Sequence, residues 1–196
     1  MLPYVNIHTH RPTGSGIELR TAGVHPWDAD MQEVASLGER LSDAQAVGET
    51  GLDFVHGPSR EVQFGALRAQ LRLARERGLP VVLHCVRAFE PLMRELAACE
   101  PRAVIFHGFI GSPEQARQAL AKGYLLSFGE RAFASPKTLA ALRETPLSQL
   151  FLETDDSPVP IAAVYARAAE ARGIPVEELQ RATLANYERI FETQHG

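Results

Sequence analysis

Leu79-Pro80-Val81-Val82-Leu83-His84 is an apolar run of strand length that ends in a histidine. Before it, Val62, Ala66, Leu67, Leu71 and Ala74 recur at helical spacing, and Gly78 and Pro80 close that helix. After it, a helix over about Phe89 to Cys99 leads into a second short apolar run, Ala103 to Phe106, which ends at His107. Helix, apolar strand and terminal histidine form a unit that repeats. Strands read as continuous apolar runs, alternating with helices, are the signature of a parallel sheet covered by helices.

Working outward, seven strands are predicted near residues 3–8, 18–24, 44–49, 80–84, 103–107, 124–128 and 149–153. Helices are predicted within Trp27 to Leu41, with Met31, Val34, Ala35 and Leu41 inward, from Ser112 at a cap with Pro113 following to Gly123, over about Ser135 to Arg143, around Ala162 to Ala171, and from Val176 to Phe191. No glycine-rich dinucleotide fingerprint follows the first strand, and no phosphate-binding GxxxxGK[ST] occurs. A nucleotide-binding doubly wound sheet is thus disfavoured. The expected fold class is α/β, a TIM-like (β/α) barrel of parallel strands with helices outside.

With 196 residues and 45% hydrophobic composition, the chain is expected to form one domain over 1–196 with a substantial core. No apolar run reaches the roughly 20 residues needed to span a bilayer, so a soluble, cytoplasmic protein without a membrane partner is expected. Cys85 and Cys99 lack metal-ligand spacing and read as reduced packing residues. A net charge of -4 argues against a broad non-specific nucleic-acid surface, but not against a local phosphate site where bound cations supply the charge.

The histidines are not scattered. Of seven, five (His8, His10, His25, His84 and His107) fall at or just beyond the carboxyl ends of predicted strands, and Glu49 and Asp155 end two more. In Val5-Asn6-Ile7-His8-Thr9-His10 the two imidazoles share one face of a strand. In a parallel barrel such strand ends meet on one rim, where active sites of this architecture lie. Four histidines and two carboxylates exceed one four-coordinate ion and suit two divalent ions sharing a carboxylate. Two such ions can hold a bridging hydroxide and stabilise both oxygens of an in-line displacement.

The motifs Asn6-Ile7-His8-Thr9-His10, Gly23-Val24-His25-Pro26, Gly48-Glu49-Thr50-Gly51-Leu52-Asp53, Leu79 to His84, His107-Gly108-Phe109 and Leu152-Glu153-Thr154-Asp155 resemble, in order and spacing, those of the TatD family of metal-dependent hydrolases. Gln63, Phe64, Gln70 and Asn186 to Phe191 look like the same family, so the resemblance covers nearly the whole chain. It implies a TIM-like barrel and divalent-metal-dependent hydrolysis of phosphodiester bonds, a deoxyribonuclease of exonuclease type. DNA, as single strands or ends, is the implied substrate. Two ions (Mg, Mn or Zn) are implied, with His8 and His10 on one, Glu49 bridging, His84 and His107 on the other, and Asp155 binding metal and orienting or deprotonating the attacking water. Glu49 and Asp155 would thus carry the catalysis. His25 would contact phosphate or support a ligand, or else cap the Pro26 turn. A monomer or weak oligomer is expected.

Two features depart from the family. Asn6 stands where the family usually has an aspartate. The fourteen residues between His10 and His25 lack room for a usual β/α unit, so a barrel reduced to seven strands is expected, with a more open cleft after Asp156.

Other residues are weighed beside these. Arg68, Arg72 and Arg75 read as a solvated helix face. Arg87, just past the His84 strand, is a phosphate contact or a helix-start salt bridge, and Arg11 and Arg131 are weaker candidates. Asp53 can orient a ligand, His56 reads as exposed, Glu153 supports the rim, and Phe109 stacks on a base or packs. The alternatives are the same dinuclear site acting on another ester or amide, and a degenerate barrel retained for binding.

Overall fold

The computed structural model describes residues 2–192. In chain order they form β1 (Val5–Asn6), β2 (Ile17–Glu18), β3 (Thr21–Ala22), α1 (Met31–Arg40), β4 (Ala46–Asp53), α2 (Arg60–Glu76), β5 (Val81–Val86), α3 (Phe89–Cys99), β6 (Val104–Phe106), α4 (Pro113–Ala121), β7 (Leu125–Phe128), α5 (Pro136–Glu144), β8 (Leu150–Leu152), α6 (Ile161–Arg172) and α7 (Val176–Tyr187). They gather into a central unit, Arg20–Phe106, and a terminal unit made of the described residues up to Leu19 together with those from His107 onward. No helix among the described residues is long and apolar enough to cross a membrane.

In the central unit β3, β4, β5 and β6 pair in parallel, with Ala22 beside Val47, Val47 beside Val81 and Val81 beside Val104. Val81, Val82 and Leu83 are buried in succession, as a strand covered on both faces requires. The register shifts between Val47 and Thr50, and beyond the shift Gly51 lies opposite His84. Gly51 takes φ 147°, and a Cβ there would overlap the His84 carbonyl, so only glycine lets the Glu49 strand lie this close to β5.

Helix α2 covers this sheet with Ala66, Leu67, Leu71 and Ala74. Two glutamines in the same buried stripe make polar clamps. Gln70 accepts from Val24 N at 2.8 Å and donates to Val24 O at 3.1 Å. Gln63 accepts from Asp53 N at 2.8 Å and donates to Asp53 O at 2.8 Å. Each buries its amide only because main-chain partners satisfy it.

In the terminal unit β1 pairs in parallel with β2, and β7 with β8. Ile7 N donates to Leu152 O at 3.2 Å, Asp155 N to His8 O at 3.1 Å and His10 N to Asp155 O at 2.9 Å, so the carboxyl ends of β1 and β8 are zipped together. The buried Tyr165 of α6 fixes β1 from behind: its hydroxyl donates to Val5 O at 2.9 Å and accepts from Val5 N at 3.1 Å. Burial pushes that phenol up to about 12. Helix α4 opens with the expected Ser112 cap, completed by a reciprocal bond from Gln115.

Two expectations change, and the expected lack of a helix between His10 and His25 is met. The strand placed at 18–24 is two strands, β2 and β3, separated by Leu19 and Arg20, because each half pairs with a different partner. The described residues therefore carry eight strand segments where seven were expected. Residues 7–25 contain no helix; the turn before β2 is instead held by the Glu18 carboxylate, which accepts from Thr13 N, the Thr13 hydroxyl and Gly14 N at 2.8, 2.9 and 3.0 Å. Met31, Ala35 and Val62 are exposed, not inward; the buried residues of α1 are Val34 and Leu37, and in the first turn of α2 it is Gln63 that faces inward.

Candidate metal centre

Each unit gathers site residues at the carboxyl ends of its strands. In the terminal unit His8, His107 and Asp155 each offer a ligand atom, all within 4.8 Å of one another. Asp155 Oδ1 lies 3.7 Å from His8 Nε2 and 3.5 Å from His10 Nε2. The His8 and His107 rings lie 4.3 Å apart. Asp155 adopts φ 54°, a left-handed conformation uncommon outside glycine, held by the two main-chain bonds that zip it to β1.

Behind this group sits Glu153, buried and 3.2 Å from His107 Nδ1. Burial alone would raise its pKa, but the His107 and His8 imidazoles hold it below the usual carboxylate range. A charged Glu153 takes the Nδ1 proton of His107, leaving the Nε2 lone pair for a ligand bond. Glu153 and Asp155 share a face because they stand two residues apart on extended chain.

In the central unit His25, Glu49 and His84 converge. His84 Nδ1 is 2.8 Å and His25 Nε2 3.1 Å from Glu49 Oε1, and the two nitrogens are 3.3 Å apart. The other nitrogen of His84, Nε2, lies 3.1 Å from Asp53 Oδ2. In the tautomer that donates Nε2–H to Asp53, His84 Nδ1 and Glu49 Oε1 meet as two acceptors. Two acceptors at 2.8 Å repel unless a proton or a cation lies between them. The donor set therefore fits a divalent ion, with a buried carboxylate behind each of His84 and His107 fixing ring and tautomer.

His25 differs from the other two. Its Nδ1 accepts from Trp27 N at 3.1 Å, which puts the ring proton on Nε2. His25 is thus a donor aimed at the cluster, suited to an oxyanion more than to an ion.

Asp53 is the hub of this half of the site. Its side chain is fully buried; Oδ2 accepts from Trp27 Nε1 at 2.6 Å and from His84, and Oδ1 accepts from Val55 N and His56 N at 2.8 and 2.9 Å. Burial would raise its pKa, but these donors, the Trp27 indole foremost, hold it far below the usual carboxylate range. Arg87 occupies an exposed turn three residues past His84, at φ 51°. Phe109 is buried and packs its ring 5.7 Å from Phe128, a core contact. Arg68 is held by Glu95 through bonds of 2.8 and 2.6 Å, as befits a solvated face.

Sequence reasoning did not find Trp27 as a partner of Asp53, or Thr154 as a partner of Asn6. Trp27 follows the His25-Pro26 motif directly, and that adjacency was the available signal.

The family described as TatD related DNase matches residues 17–192, a span that begins after His8 and His10. A protein of Escherichia coli K12 named "uncharacterized metal-dependent hydrolase YjjV" is 33% identical over 193 residues, covering 86% of this chain and 74% of its own length. A protein of Erwinia amylovora named "3'-5' ssDNA/RNA exonuclease TatD" is 34% identical over 203 residues, covering 87% and 77%. The crystal structure of YjjV superposes with a TM-score of 0.76 at 29% identity, over 90% of this chain and 77% of that one, which makes the fold class α/β and TIM-like. By its motif order, its family match and these relatives, the chain belongs to the TatD family of metal-dependent hydrolases.

Proposed function

We propose that the chain is a divalent-metal-dependent phosphodiesterase, a deoxyribonuclease that removes nucleotides from the ends of single-stranded DNA, with residues 1–196 acting as one catalytic domain. The observation that carries this reading is the paired support of His84 by Asp53 and of His107 by Glu153, which leaves one nitrogen of each ring for a ligand bond. The name of the Erwinia relative supports nucleic acid as the substrate class.

The proposed ligands are His8, His10, Glu49, His84, His107 and Asp155, with Glu49 the shared carboxylate. Bound there, two divalent ions, Mg, Mn or Zn, would supply Lewis acidity to activate a water and positive charge for the phosphate. Asp155 orients that water and takes its proton. His25 donates its Nε2–H to a phosphate oxygen, and Arg87 adds a cation on the approach from β5. The free thiols of Cys85 and Cys99 suit the reducing cytoplasm, where we place the protein.

The test is cleavage of end-labelled single-stranded DNA by chelator-stripped protein, with Mg²⁺, Mn²⁺ and Zn²⁺ restored one at a time. Activity that vanishes on stripping, returns with an ion and is abolished by Asp155→Asn supports the reading. Cleavage of small esters alone, or cleavage indifferent to chelator, ends it.

A further inference from the structure

Trp27 is the only tryptophan of the chain, and it is 50% exposed. An exposed aromatic side chain needs no explanation by itself. Trp27 is unusual in being exposed and pinned. Its indole N–H donates to Asp53 at 2.6 Å, and Asp53 is a buried carboxylate that also holds His84. Burying a carboxylate is costly unless donors surround it, and here one of those donors is a ring left half in solvent.

A second ring stands beside it. His56, with 59% of its side chain exposed, lies with its ring centroid 5.1 Å from that of Trp27 and its Nδ1 3.4 Å from Asp53 Oδ2. The loop that carries His56 reaches this place through Gly57, at φ 88°, where a Cβ would come within 2.9 Å of Trp27 Cα. On the inner side, Trp27 meets the His25 ring edge-on at 5.0 Å and the His84 ring at 6.2 Å. Two exposed rings of fixed orientation therefore flank the ligand cluster.

Three of the partly exposed phenylalanine rings are covered by guanidinium groups. Arg60 lies 4.1 Å over Phe54, Arg68 5.3 Å over Phe64 and Arg167 4.4 Å over Phe133. Among the described residues, no guanidinium covers Trp27. Trp27, whose ring centroid lies 5.0 Å from that of His25, is thus an uncapped ring beside the ligand cluster.

We propose that Trp27 and His56 form a stacking platform for an unpaired nucleobase of the strand whose phosphate enters the His25–Glu49–His84 cluster. This rests on the nuclease reading. Every base offers a π-face, so the platform is tolerant of sequence but not of duplex, where the faces are already stacked. It selects a single-stranded end at the base, independently of the phosphate chemistry.

Because Trp27 is the sole tryptophan, the wild-type protein reports on its own platform. Fluorescence is followed while a short phosphorothioate-linked single strand, slow to cleave, is added in Mg²⁺, against a strand of equal length whose residues are abasic. Quenching by the base-bearing strand and little by the abasic strand is expected. In parallel, the preference in kcat/KM for base-bearing over abasic ends is compared between wild type, Trp27→Leu, Trp27→Phe and His56→Ala. Trp27→Leu should lower that preference about tenfold or more, mostly through KM, and Trp27→Phe should restore part of it. Equal quenching by both strands, no quenching, or a preference that Trp27→Leu does not alter overturns the proposal. Cleavage without base-dependent quenching would remove the platform and keep the nuclease; quenching without cleavage would do the reverse.

Discussion

Asn6 and Thr154 exchange two hydrogen bonds: the Asn6 amide donates to Thr154 Oγ1 at 2.9 Å, and Thr154 N donates to Asn6 Oδ1 at 3.0 Å. Thr154 Oγ1 is in turn 3.1 Å from Thr9 Oγ1. An uncharged residue where the family usually carries an acid therefore serves as the tie between the β1 end and the residue next to Asp155.

Asn6→Ala should leave Thr154 N buried without its acceptor and cost about 1–3 kcal/mol of stability, read from urea denaturation. The same variant should weaken divalent-ion affinity by about tenfold, since Thr154, next to Asp155, loses its tie to the β1 end. An unchanged melt and unchanged ion titration would show that the zipped main chain alone holds Asp155.

The carboxylates behind the imidazoles make a separate prediction. Asp53→Asn turns an acceptor of the His84 proton into a group that can present N–H, which drives the ring toward the tautomer whose Nδ1 is no longer a ligand. Glu153→Gln does the same to His107. Each should lower ion affinity about 10–100-fold while the protein stays folded, as measured by calorimetric titration of Zn²⁺ into stripped protein. Affinity within twofold of wild type would exclude tautomer control.

The same acids govern acid stability. Asp53 has a folded pKa below its ordinary 3.8, so its contribution is complete above that value and is lost as pH falls through the folded pKa. Glu153, below its ordinary 4.5, behaves likewise. Stability should thus fall on acidification below about pH 4.5, and Asp53→Asn should flatten the fall in denaturation curves run between about pH 6 and about pH 3.

Ion binding should itself stabilise the fold. Ions at a hundred times their dissociation constant should add about 2.7 kcal/mol per site. A thermal melt should therefore rise with Zn²⁺ or Mn²⁺ in wild type, and rise less in His84→Ala.

Much of this was legible in the sequence. His8, His107 and Asp155, like His25, Glu49 and His84, announced themselves by standing at the carboxyl ends of apolar runs, and the structure gathers each set within its own unit. What escaped notice depends on partners distant in the chain. The bond between His107 and Glu153 spans 46 residues and that between Asn6 and Thr154 spans 148, and no local periodicity encodes either. The division of residues 18–24 escaped for a related reason: a two-residue strand is defined by its partner, not by its own composition. The inward assignment of Met31, Ala35 and Val62 failed because the buried stripes run through Val34 and Leu37 in α1 and through the polar Gln63 in α2, which an apolar pattern does not mark.

Helix α2 holds Val24 with Gln70 and Asp53 with Gln63, two grips roughly two helical turns apart. Their distance along one face makes the helix a gauge of fixed length, set against the ends of β3 and β4. A single residue inserted between the grips would swing one of them by about 100° and free either the His25 turn or the Asp53 hub. Loop residues 11–16, exposed between β1 and β2, carry no such constraint. The chain can therefore vary in length between His10 and β2 far more readily than inside α2.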